Sequence, residues 1–169
     1  MRGMKRMSRT GVFVAVLIGG IPAEAQNTTP PYTLAIEGPE SPVEVGKAFA
    51  IVVTQHNTSK KSLTCGASYD SDRGVDILLE YVVRDENATK LQPKGPEVGK
   101  INSRRFVRAL PCTLAPGETT TFSAGLISNL YDFGVPGRYT VQVLDRIVEK
   151  DNKVIGWVRS NVITVTVIE

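Results

Sequence analysis

From Arg138 to Leu144 the chain alternates strictly. Tyr139, Val141 and Val143 fall on one face, and Arg138, Thr140 and Gln142 on the other. A period of two is what a strand with one buried face requires, and it does not fit the 3.6-residue period of a helix. The C-terminal run repeats the pattern, with Ile163, Val165 and Val167 alternating with Thr164, Thr166 and Ile168. Its β-branched content suits a pleated surface. Few segments place apolar residues at i, i+3, i+4 and i+7, so no helix is expected.

Further strands are expected at Tyr32 to Glu37, Pro42 to Val45, Ala48 to His56, Asp76 to Arg84, Arg104 to Leu110, Thr119 to Leu126 and Lys153 to Arg159. In the second main strand Phe49, Ile51 and Val53 share a face. The nearly continuous apolar middle of Asp76 to Arg84 points to a central position in a sheet. Asp151-Asn152 is good turn chemistry for a hairpin between Lys153 to Arg159 and the strand ending near Glu149. Together these make about eight or nine strands, the number of one all-β, immunoglobulin-like two-sheet antiparallel sandwich spanning residues 32–169. The Lys-, Pro- and Gly-rich stretch 90–102 reads as a long mobile loop.

Two motifs carry most of the fold information: Leu114-Ala115-Pro116-Gly117-Glu118, and Leu130-Tyr131-Asp132 followed by Pro136-Gly137-Arg138-Tyr139. In each, Pro fixes φ at the second position of a type II turn and Gly takes the positive φ at the third. Tyr139 follows the second turn at the spacing of a corner tyrosine. Its ring should be buried and its hydroxyl should bond a backbone group near Leu130 to Gly134. With Asn57-Thr58-Ser59 ending a strand and the Val-rich last strand, this order resembles secreted bacterial immunoglobulin-like proteins of unknown function. It is also similar to the sandwich preceding the zinc domain of deuterolysin-type metallopeptidases. The chain has no H-E-x-x-H, so the resemblance implies a fold and an export route and supplies no catalytic residues.

The first 25 residues have the three parts of a secretory leader. Arg2, Lys5, Arg6 and Arg9 are basic, Val12 to Ile18 is apolar, and Ala23-Glu24-Ala25 is the cleavage signal. The apolar run is too short to span a bilayer, and Gly19, Gly20 and Pro22 follow it. Cleavage leaves a soluble chain with no membrane anchor, with residues 26–31 as a flexible lead. The whole chain has 20 basic and 17 acidic residues. Removing those four basic residues and Glu24 leaves sixteen of each. The basic pI therefore belongs to the leader, and no nucleic-acid partner is indicated. In an oxidising compartment Cys65 and Cys112 are expected to pair, closing a loop worth roughly 4 kcal/mol in the chain-entropy model. Two buried free thiols are the alternative.

The residues that could carry chemistry are few. His56 is the single histidine, so no second histidine exists for a zinc site. No G-x-S-x-G elbow supports a triad around it, which makes it a surface histidine at a strand end. Asp70, Asp72 and Asp76 around Gly74 resemble calcium ligands, but the glycine is at position five of the motif instead of six, and an ordinary polar turn accounts for them equally. Arg104, Arg105 and Arg108 read either as an anion patch or as a solvated strand face. The sequons at Asn27, Asn57 and Asn87 read as chance matches in polar turns. No cofactor is indicated. The leading expectation is a secreted or periplasmic non-catalytic binding module whose partner is another protein or a cell-envelope component. A protease inhibitor presenting 90–102 is the second reading, and a hydrolase the third.

Overall fold

The computed structural model describes residues 29–65, 68–70, 75–76, 79–94, 106–108, 112–148 and 154–169, with backbone alone at 68–70, 75–76, 106–108 and 148. The residues read as a leader, Asn27, Asp72, Gly74, Arg104, Arg105, residues 95–102 and the expected turn at Asp151-Asn152 lie outside them.

Twelve strands and one helical turn follow in order: β1 (Tyr32–Glu37), β2 (Val43–Glu44), β3 (Ala50–Asn57), β4 (Leu63–Cys65), β5 (Ser68–Asp70), β6 (Val75–Asp76), β7 (Leu79–Arg84), β8 (Phe106–Arg108), β9 (Cys112–Leu114), β10 (Thr119–Leu126), α1 (Ile127–Leu130), β11 (Gly137–Val148) and β12 (Val154–Ile168). The larger sheet runs β1-β3-β10-β6-β5-β8 and the smaller β2-β12-β11-β7, while β4 and β9 form a separate ribbon. The chain is thus an all-β immunoglobulin-like sandwich. Its strands outnumber the expected eight or nine because several are two- or three-residue pieces.

The inward residues read from alternation do line the core. Ile36, Ile51 and Val53 of the larger sheet face Val83, Val141, Val143 and Val165 of the smaller. Burying one such side chain stabilises by about 1.5–3 kcal/mol. Buried hydroxyls also tie the sheets together. Tyr32 donates to Asp145 Oδ2 at 2.8 Å, and Tyr81 donates to the Ala124 carbonyl at 3.0 Å.

Four local expectations are corrected. The apolar run read as one central strand is two elements in different sheets, and β7 is the edge of the smaller one. Its apolar middle is accounted for by coverage of that edge. Leu91 N–H donates to the Val83 carbonyl, and the Tyr131 hydroxyl to the Tyr81 carbonyl at 2.8 Å. Second, the strands expected at Lys153 to Arg159 and Ile163 to Ile168 are one strand, β12, with a bulge where Ser160 and Asn161 oppose Val143. Third, α1 is a single turn, too short to show helical periodicity, yet it buries Ile127 and Leu130. Fourth, the two Pro-Gly pairs differ. Gly117 takes φ 81° and Glu118 N–H bonds the Ala115 carbonyl at 3.0 Å, a type II turn. Gly137 has φ 157°, close to extended, and is the first residue of β11.

The bulge serves the edge of the larger sheet. Asn161 accepts from Ile36 N–H at 2.7 Å and donates to the Ile36 carbonyl at 3.0 Å. A side-chain amide thereby occupies backbone groups that an edge strand would otherwise offer to another chain.

Candidate functional site

Loops 85–91 and 132–138 meet at one end of the sandwich and wall a cleft of about 310 Å³, lined by Asp85, Glu86, Leu91, Asp132, Arg138 and Tyr139 among others. Each wall is held by local bonds. Asp85 Oδ1 accepts from the N–H groups of Asn87 at 2.9 Å and Thr89 at 2.8 Å, closing the first loop on itself. Asp132 Oδ1 accepts from Gly134 N–H at 3.2 Å and lies 3.5 Å from Lys94 Nζ.

Tyr139 anchors the second wall. It is 6% exposed, its ring meets Phe133 edge-on at 5.0 Å, and Phe133 meets Phe49 at 4.9 Å. Its hydroxyl donates to the Val135 carbonyl at 2.8 Å, one residue beyond the stretch named from the sequence. That carbonyl is the acceptor a 135–138 type II turn would have used, so the tyrosine hydroxyl stands in place of the turn bond. Burial raises the Tyr139 pKa, with further upward contributions from Asp132, Asp85 and Glu86. The three carboxylates act on the tyrosine in the same direction, while Arg138 in the lining and Lys94 on Asp132 bring positive charge to the same end. Burial and then Glu80 push Tyr131 up to about 12.

The other residues singled out lie apart from this cleft. Pro116 and Gly117 sit at another turn, beside Asn57. Asn57 is fully buried, and its amide donates to the carbonyls of Lys61, Leu114 and Ala115 at 2.9 to 3.0 Å. Its Oδ1 accepts from Ser59 N–H and Oγ. Read from sequence as part of a polar turn, Asn57 is a polar hub joining two loops, and its burial closes it to glycosylation in the folded chain. The Ser/Thr-rich residues after it were the one available signal, because short hydroxyl side chains commonly bond nearby backbone.

Cys65 and Cys112 form a disulfide between directly paired residues of β4 and β9, with Cα atoms 4.9 Å apart. His56 lies on the outward face of β3, where Nδ1 is 3.0 Å from Thr119 Oγ1. Asp70 and Asp76 occupy the paired strands β5 and β6. Among the described residues no three His, Cys, Asp or Glu side chains converge to hold a metal ion. No described helix is long and apolar enough to cross a membrane. The stretch read as a mobile loop begins fixed: Lys90 bridges Arg84, Leu91 packs on the core, and Lys94 N–H donates to the Leu130 carbonyl.

No protein-family model matches the sequence, and no curated protein matches it. Among solved structures, the CARDB domain of a Pyrococcus furiosus protein is similar at 16% identity and a TM-score of 0.35, over 82% of this chain and 94% of that one. That likeness carries no residue across to this chain.

Proposed function

We propose that the chain is an exported, non-catalytic binding module that engages its partner through the loop end of the sandwich. The observation that carries this reading is the cleft beside Tyr139, whose walls are fixed before any ligand arrives. A preformed recess spares a ligand the cost of ordering loops. Asp132 already pairs with Lys94, and with Asp85 and Glu86 beside the one Arg138 the mouth favours a cationic group such as an ammonium or guanidinium. The leader and the disulfide support export to an oxidising compartment.

Titration of the mature chain with a lysine-rich peptide, followed by amide chemical shifts, tests the reading. Saturable shifts at Gly134, Tyr139 and Asn87 are expected, and they should weaken in Asp85→Asn/Glu86→Gln. No shift at millimolar peptide would overturn the cleft as the site. A protease panel run alongside separates the second reading, for which inhibition at micromolar concentration is the signature.

A further inference from the structure

Register places the outward residues of the smaller sheet in rows. Arg84, Thr140 and Thr164 form one row, Val82, Gln142 and Val162 the next, then Glu80, Leu144 and Arg159, and last Arg146 beside Trp157. Arg138 extends the face beyond Thr140, opposite Thr166. Four arginines thus share the face formed by three strands with one acid, Glu80, although the chain without its leader is balanced in charge. Among the described residues the ion pairs are Lys47–Glu44 and Lys94–Asp132, and neither uses these arginines, although Arg84 Nη1 donates to the Ala88 carbonyl at 2.9 Å. Trp157 is 37% exposed and Val162 57% exposed in the same patch, while Leu144 is buried outside the core cluster.

We propose that this face binds a linear anionic polysaccharide, at a site centred on Arg146, Arg159 and Trp157 that shares only Arg138, at its far end, with the cleft. Guanidinium groups supply the charge complementarity and fork onto carboxylate, sulfate or phosphate oxygens. Between them Thr140, Thr164 and Thr166 offer hydroxyls to a sugar's own hydroxyls, and the exposed part of the Trp157 indole offers aromatic surface to a sugar ring. Arg138 and Arg146 are eight residues apart on β11, about 27 Å at strand rise, so the strip suits an extended polymer more than a compact ion. A membrane would call for apolar side chains at a protruding tip, and Trp157 and Val162 lie within a sheet face instead. An acidic peptide would leave the interleaved hydroxyls without matching groups.

The test uses polygalacturonate as probe, with neutral dextran and anionic phosphatidylglycerol vesicles as comparison arms. Wild type should bind the acidic polymer, with affinity falling as salt rises, and should ignore dextran. Arg146→Gln/Arg159→Gln should weaken binding at least tenfold, and Arg159→Gln alone, which leaves Arg146 beside Asp145, should weaken it severalfold with an unchanged melting temperature. Trp157→Ala should weaken it about threefold, as expected for the loss of one aromatic stacking surface. Lys60→Gln/Lys61→Gln removes the same charge elsewhere and should change affinity less than twofold. Equal loss in the lysine and arginine variants would show a net-charge effect and overturn the assignment, as would wild-type binding in the arginine variant. Vesicle binding without polymer binding would replace the glycan with a membrane. Asp85→Asn/Glu86→Gln should leave polymer binding intact, so this proposal and the cleft can fail separately.

Discussion

On the outward face of the larger sheet, Thr33, His56 and Thr119 form one row, Ala35, Thr54 and Thr121 the next, and Glu37, Val52 and Ser123 the third. Its side chains satisfy one another, with Thr54 and Thr121 hydroxyls 3.2 Å apart and His56 Nδ1 3.0 Å from Thr119. The matching rows of the smaller sheet carry four arginines and a half-exposed tryptophan. Inward, the sheets are alike: aliphatic and aromatic side chains fill one core. Packing therefore sets the inward residues of both sheets and leaves the outward ones unconstrained by the fold. The threonine face is what cross-strand pairing alone favours. The arginine face is not, since like charges on one sheet face repel, and that departure is what points to a partner.

The comparison predicts where substitution disturbs the frame and where it does not. The largest effect belongs to the corner beneath the cleft. Tyr139→Ala leaves a cavity against Phe133 and should cost about 3–5 kcal/mol in denaturant melts. Tyr139→Phe should cost about 1 kcal/mol, because the Val135 carbonyl lies near the surface and water replaces the hydroxyl. If both variants melt like wild type, the inward placement of Tyr139 is wrong and the division into inner and outer faces fails with it. Asn57→Ala strands buried carbonyls and should cost about 2–3 kcal/mol. Loss below 0.5 kcal/mol would mean that water fills the site.

Asp145 gives a smaller effect with a definite sign. Burial raises its pKa, while the Tyr32 hydroxyl, which donates to it, and Arg146 pull the other way. The folded state holds its proton more tightly than the unfolded chain, whose carboxyl titrates near ~3.9. This group therefore adds stability below that value and loses it as pH rises through the folded-state pKa. Asp145→Asn still accepts the Tyr32 bond and should be more stable at pH 7, with the difference from wild type vanishing on acidification. A variant less stable at pH 7 would contradict this. Smallest of all, Thr54→Ala on the threonine face should stay within about 0.5 kcal/mol by the same melts. A larger loss would make that face part of the frame.

How much was legible follows from the range of each signal. Tyr139 could be read because its cues, the Pro136-Gly137 pair and the alternation to Val143, are local. The status of β7 could not, because Leu79 to Arg84 looks equally apolar whether buried by a neighbouring strand or covered by Leu91 and Tyr131. Asn57 was hidden for a different reason: Asn-Thr-Ser suits an exposed turn as well as a buried hub, and only the arrival of Leu114 and Ala115 decides between them. The arginine face was out of reach altogether. Arg84 comes to lie opposite Thr140, two residues from Arg138, through β7–β11 pairing across more than fifty residues, and Arg159 opposite Leu144, two residues from Arg146, through β11–β12 pairing whose bulges shift the register. Arg104, Arg105 and Arg108 adjoin in sequence instead, and of these the structure describes only the backbone of Arg108, in β8.

Amide chemical-shift mapping of the isotope-labelled mature chain, titrated with oligogalacturonate at low salt, tests the difference between the two faces directly. A polysaccharide on the arginine face produces saturable shifts along β11, β12 and β7, strongest around Arg146, Trp157 and Arg159, with β1, β3 and the first half of β10 unmoved. Shifts centred on Thr54, His56 and Thr121, or no shifts on either sheet at millimolar ligand, would contradict it.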